Sequence, residues 1–154
     1  MGDRRSPGIE LRHRQWLEIL AHAWGGAPDE ACGLLVGRGG QVDAFVPCRN
    51  ADRSSRTFSI GPDGWRAADE AIAAGNAREG VGEGVVGLAV IGVVHSHTHT
   101  EAYPSPTDVA QAANPMLAGW HWVLVSLRPP APVLRSYVID GVDVVEEPIT
   151  LRRG

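Results

Sequence analysis

The pattern of apolar and polar positions divides the chain into short strands interleaved with amphipathic helices. Ile9 to Leu11 forms a brief apolar strand. From Arg12 to Trp24, Trp16, Ile19, Leu20, Ala23 and Trp24 recur at helical spacing until Gly25-Gly26 ends the run. Ala31 to Val36 is continuously apolar and Val42 to Val46 is a second strand, with Gly37 to Gly40 as the hairpin turn between them. Beyond a polar loop from Pro47 to Arg56, the pattern predicts a short strand over Thr57 to Ile60. A helix follows over Pro62 to Ala74, with Pro62 in its first turn and Trp65, Ala68 and Ile72 on one face. Gly75 to Gly87 is glycine-rich and weakly periodic, which predicts a flexible loop. Leu88 to Val94 is apolar throughout and reads as a central strand delivering His95 at its end. A short helix over Ser105 to Ala113 is closed by Asn114-Pro115, and strands follow over Trp122 to Leu127, Val133 to Ile139 and Gly141 to Val145. Interleaved elements with hairpins near both ends predict an α/β fold, a mixed β-sheet flanked by helices. At 154 residues the chain is expected to be a single domain over 1–154.

The 44% hydrophobic and 21% charged content is that of an ordinary globular protein. A formal net charge of -4, with no dense basic patch, argues against nucleic acid as the partner. All 14 cationic residues are arginine, so no lysine here can carry a ubiquitin-like modifier. Met1 to Gly8 has charge and proline but no apolar run, so no signal peptide or membrane span is expected and a cytoplasmic location is predicted. Cys32 and Cys48 are isolated, which speaks against a disulfide scaffold or a cysteine-based zinc site.

The chemistry concentrates in His95-Ser96-His97 and, seven residues on, Ser105-Pro106-Thr107-Asp108. Histidines one residue apart on a strand point to the same side, so both imidazoles can reach one metal. Asp108, at the start of a helix just beyond a proline turn, brings a carboxylate towards the same point. Two imidazoles and one carboxylate leave a tetrahedral position open, the pattern of catalytic zinc. Each piece has a plainer reading. Ser105 to Asp108 is also a good helix start, with Ser as N-cap, Pro at N1 and an acid at N3. The two roles are compatible. It is the joint occurrence behind an apolar strand that favours metal. His99 would fill the open position if it bound, and it reads as a substrate-side or surface residue. His13, His22 and His121 have no expected metal role, and Cys32 reads as a buried structural thiol rather than a nucleophile.

These residues, with Glu30 in Pro28-Asp29-Glu30-Ala31-Cys32-Gly33-Leu34-Leu35, resemble the JAMM motif of the MPN-domain zinc metalloprotease family. The resemblance runs from about Ile9 to Glu147. It implies a cytidine-deaminase-like α/β core and one Zn2+ per chain held by His95, His97 and Asp108. It further implies Glu30 as general base and Ser105 as the hydroxyl that stabilises the oxyanion. The stretches His95 to Ser105, Thr107-Asp108-Val109, Leu134 to Ile139 and Glu146-Glu147-Pro148 are similar to the small bacterial branch that acts on sulfur-carrier proteins. That similarity implies a ubiquitin-like sulfur-carrier protein with a Gly-Gly C-terminus bearing cysteine as substrate, with hydrolysis releasing the cysteine. Arg53 and Arg56 are the candidate cations for the cysteine carboxylate. An isopeptidase acting on modified lysines is the alternative enzyme, and a non-catalytic MPN scaffold is disfavoured because all five motif residues are intact.

Overall fold

The computed structural model describes residues 6–82 and 84–154. The first five residues of the polar N-terminal stretch, and Glu83 in the glycine-rich segment, lie outside them. The elements in chain order are β1 (Ile9–Arg12), α1 (His13–Gly26), β2 (Cys32–Arg38), β3 (Gln41–Cys48), α2 (Pro62–Glu79), β4 (Ala89–His97) and α3 (Pro106–Ala112), followed by a 3-10 turn (Pro115–Leu117). Four strands complete the chain: β5 (His121–Ser126), β6 (Val133–Asp140), β7 (Asp143–Glu147) and β8 (Ile149–Arg152).

The strands form one mixed sheet in the order β7-β6-β5-β4-β2-β3-β1-β8. Strand alternation sends successive side chains to opposite faces, and each face has its own core. Cys32, Leu34, Val93, Trp122, Leu124, Tyr137 and Ile139 pack with α2, α3 and the 3-10 turn. Leu35, Phe45, Val94, Val123 and Val125 pack with Ile19 and Ala23 of α1 on the other face. The central strands β2, β4 and β5 are covered on both sides, which is why they read as unbroken apolar runs. β4 and β5 are parallel and end at the same edge, with His97 in register with Ser126.

Four departures from the sequence expectation have physical causes. β4 continues through His97 because it keeps its ladder with β5 to the end. Gly75 to Gly87 is not one loop, since α2 runs to Glu79 and ends on Gly80, whose φ of 68° suits a left-handed cap. Gly75 is a contact point inside that helix: a Cβ there would meet Leu88 Cδ1 at 2.3 Å. Thr57 to Ile60 is not a strand and makes only an isolated bridge between Asn50 and Ile60. Finally, Ile149–Arg152, unpredicted beyond Pro148, pairs in parallel with β1.

Candidate metal centre

The carboxyl end of β4 presents His95 and His97 on the face shared with α2 and α3, and both are buried. Ser96 between them points the other way. Its Oγ accepts from the Ala31 N–H at 2.8 Å, and its own N–H donates to the Ala31 carbonyl at 2.9 Å. That double link fixes the strand of the histidines to the segment carrying Glu30. Ser105 and Asp108 form a reciprocal capping box at the start of α3. The Asp108 N–H donates to Ser105 Oγ at 3.1 Å and the Ser105 N–H donates to Asp108 Oδ2 at 2.8 Å. The cap thus aims the carboxylate. Asp108 Oδ1 lies 3.0 Å from His95 Nε2, and Oδ2 lies 3.7 Å from His97 Nε2.

Glu30 approaches from the opposite flank, with Oε2 at 3.8 Å from His95 Nδ1. Ligand atoms of Glu30, His95 and His97 all lie within 4.8 Å of one another. Glu30, His95 and His97 thus form one compact three-ligand set, and Asp108 stands beside both imidazoles from the α3 side.

The side chains fit a divalent metal by their own bonding. Neither ring nitrogen of fully buried His95 has a hydrogen-bond partner, although carboxylates stand 3.0 and 3.8 Å away. A buried imidazole is normally paired, so ring nitrogens left without a hydrogen bond near carboxylates suit a cation bound at one of them. His97 Nδ1 donates to the Glu101 carbonyl at 2.9 Å, because a carbonyl only accepts. This leaves Nε2 with its lone pair towards Asp108, the outer partnership usual for a metal-bound histidine. Nitrogen and oxygen donors of this kind match zinc.

Charge separates the two carboxyls. Burial pushes Glu30 up to about 7, against a lowering by His97. Burial also opposes the charge of Asp108, but the two imidazoles and the Ser105 N–H outweigh it and hold that carboxyl well below the usual range. Burial depresses His95, with Asp108 opposing. For His97 the same burial is outweighed by Asp108 and the Glu101 carbonyl, which raise it.

Two residues that the sequence analysis passed over shape this centre. Phe58 stacks on His95 with ring centroids 4.3 Å apart. Asn50, buried, donates through Nδ2 to the carbonyls of Glu30 at 3.0 Å, Thr57 at 2.9 Å and Ser54 at 3.4 Å. Its Oδ1 accepts from Asp52 and Ser59. The Glu30 N–H in turn donates to the Ser54 carbonyl at 2.7 Å. The residue spacing around Asn50 gave no signal of this, because every partner is a main-chain group.

The remaining candidates stand apart. His99, Arg53 and Arg56 are exposed. A ring nitrogen of His22 bonds the carbonyls of Cys32 and Cys48, and His121 pairs with Glu147. Burial pushes the Cys32 thiol up to about 12, which makes it inert.

The model of the family described as prokaryotic homologs of the JAB domain matches residues 13–140. Proteins named CysO-cysteine peptidase from Mycobacterium bovis and Mycobacterium tuberculosis are 39% identical over 141 residues, covering 86% of this chain and 84% of theirs. The solution structure of a protein from Desulfitobacterium hafniense is 34% identical, with a TM-score of 0.75 over 95% of this chain and 94% of that one. A JAB1/MPN domain protein from Archaeoglobus fulgidus, 19% identical, shares the fold with a TM-score of 0.54 over 94% of this chain and 98% of its own. By the family match and the curated relatives together, the chain belongs to the prokaryotic homologs of the JAB domain, in the JAMM/MPN family, and is a hydrolase.

Proposed function

We propose that this chain is a zinc peptidase that hydrolyses the bond after the C-terminal Gly-Gly of a ubiquitin-like sulfur-carrier protein and releases cysteine. The observation that carries the proposal is a pair of buried imidazoles flanked by two carboxyls, Asp108 at their Nε2 atoms and Glu30 at His95 Nδ1. The 39% identity to CysO-cysteine peptidases supports the substrate. In this reading His95, His97 and Asp108 hold one zinc ion. When bound, zinc supplies Lewis acidity to a carbonyl and a water.

The protein's own groups then divide the work. Asp108 stays ionised and is aimed by the α3 cap, so it is the resident ligand. Glu30 is less committed to charge, and a cation at the shared point would draw it towards ionisation. It takes a proton from the attacking water and delivers one to the leaving nitrogen. The C–N bond breaks, the carrier keeps a Gly-Gly carboxylate, and cysteine leaves as a free amine. Ser105 uses its oxygen as acceptor in the cap, which leaves its hydroxyl hydrogen to donate to the developing oxyanion. A narrow Gly-Gly tail suits entry as an added strand. The proposed setting is the cytoplasm; no helix of the described residues is long and apolar enough to cross a membrane.

The test is mass spectrometry of two substrates incubated with the zinc-loaded protein: a carrier–cysteine adduct and an isopeptide conjugate of a ubiquitin-like protein. The proposal expects loss of one cysteine from the adduct. Cleavage of the conjugate alone would replace it with the isopeptidase reading.

A further inference from the structure

A cavity of about 280 Å³ lies beside the histidines and has no part in the roles assigned above. Glu101, Tyr103, Ser126, Arg128, Arg135 and Tyr137 are among its lining residues. It opens on the same face of the sheet as the imidazoles. Trp122 and Leu124 of β5, and Tyr137 and Ile139 of β6, share a core with Val93 of β4, so alternation puts Ser126 and Arg135 on the His95–His97 side. Register runs from His97 to Ser126 to Val133. With strands about 4.8 Å apart, the cavity floor is one to two strands from His97.

The segment Thr100 to Tyr103 is common to the two and forms the rim between them. On one side the Glu101 carbonyl holds His97 Nδ1. On the other, Ser126 Oγ donates to the Thr100 carbonyl at 2.5 Å and the Tyr137 hydroxyl donates to the Ala102 carbonyl.

Arg128 stands at this cavity, two residues beyond the end of β5, with its N–H donating to Ser126 Oγ at 3.3 Å. Arg135 is already paired with Glu146 at 2.9 Å. Among the described residues Arg128, like Arg53 and Arg56, has no carboxylate partner, in contrast to Arg14, Arg38, Arg49, Arg78 and Arg152. Glu101 is the acid at the same cavity. One uncommitted guanidinium and one carboxylate lining the same cavity suit a ligand with one charge of each sign, and an amino acid in particular: its carboxylate meets the arginine and the amine formed on cleavage meets the acid.

We infer that this cavity receives the leaving residue and that Arg128 binds its free α-carboxylate. The inference rests on the peptidase reading and places carboxylate recognition away from Arg53 and Arg56. Those two follow Asn50 in the loop that holds Glu30, on the β2 flank of the histidines, whereas Arg128 lies on the β5 flank. The α-carboxylate is two bonds beyond the scissile nitrogen, and the long forked side chain of arginine adds reach from the β5 flank.

The test compares a carrier adduct ending in cysteine with the same adduct as its C-terminal amide. With the wild-type zinc enzyme, kcat/KM is expected to favour the acid by about 10- to 100-fold, the worth of one charge-assisted pair. In Arg128→Ala and Arg128→Gln that ratio falls to about one, while Arg53→Ala and Arg56→Ala keep it. Calorimetric binding of both adducts to Glu30→Gln protein should show the same preference without turnover, and cleavage of the amide reports that each Arg128 variant is folded. If the wild type cleaves neither adduct, the peptidase reading falls and the subsite with it. If it cleaves acid and amide alike, or if both Arg128 variants keep the preference, the carboxylate subsite alone is overturned.

Discussion

The side-chain amide of Asn50 donates to the main-chain carbonyl of Glu30 at 3.0 Å, and the same amide group gathers the carbonyls of Ser54 and Thr57. One buried side chain therefore sets the position of the Glu30 carboxyl and also closes the loop that brings Phe58 onto His95. Asn50→Ala is expected to lower kcat by about 10- to 100-fold with little change in KM, since a base displaced by a fraction of an ångström loses alignment rather than binding. Zinc content should be retained. Combining Asn50→Ala with Glu30→Gln should cost little beyond Glu30→Gln alone, because both act through one carboxyl. Full additivity in that double variant would show that Asn50 does not act through Glu30.

The roles of Glu30 and Ser105 predict distinct losses. Glu30→Gln should lower turnover by roughly 10²- to 10⁴-fold, the usual range for a positioned base. Ser105→Ala should lower it by about 10²- to 10³-fold. Because Ser105 also caps α3, its loss should destabilise the fold by about 1 kcal/mol, visible as a lower Tm. A Ser105→Ala protein with reduced Tm and undiminished turnover would leave Ser105 a cap only.

The raised Glu30 carboxyl gives a signed pH dependence to the metal-free protein. Between the ordinary 4.5 and about 7, the folded chain keeps a proton that the unfolded chain has released. Its contribution to stability therefore falls as pH rises through that window and levels off above it. Glu30→Gln lacks this group, so the stability of the variant relative to wild type should climb from pH 4.5 to 7 and then stay flat. Denaturant unfolding of chelator-treated proteins across that range checks the sign. A constant difference would mean that the carboxyl titrates as it does in water.

Gly75 predicts a packing effect far from the chemistry. A Cβ there would come within 2.3 Å of Leu88 Cδ1, at the entrance to β4. Gly75→Ala should therefore destabilise the protein by about 1–3 kcal/mol, despite the better helix propensity of alanine. Thermal melts decide it; a raised Tm would mean that Leu88 swings aside freely.

The same position explains what was legible in the sequence. The apolar run of β4, the alternate histidines and the Ser105–Asp108 helix start are local patterns, and local patterns survive the reading of a single chain. The glycine content of Gly75 to Gly87 predicts a loop from its first residue, whereas the missing side chain of Gly75 lets α2 close against Leu88. Thr57 to Ile60 has the composition of a strand, but the side chain of Asn50 takes the hydrogen bonds a ladder would need. β8 lies beyond the last strand that the pattern predicts, Gly141 to Val145, and its partner β1 lies at the far end of the chain. At the site, spacing singles out His95, His97, Ser105 and Asp108 as candidates, whereas Glu30 enters through the resemblance of its flank and not by residue type. Asn50 and Arg128 owe their places to long-range folding, which leaves no mark on spacing.

The division of labour between the two carboxyls is the centre of this account, and zinc stoichiometry tests it most directly. Elemental analysis would be run on wild type, Glu30→Gln, His97→Ala and Asp108→Ala, each exchanged into zinc and washed under the same conditions. The account predicts about one zinc per chain in wild type and in Glu30→Gln, and far less in His97→Ala and Asp108→Ala. Zinc lost from Glu30→Gln but kept by Asp108→Ala would contradict it, and would make Glu30, His95 and His97 the ligand set.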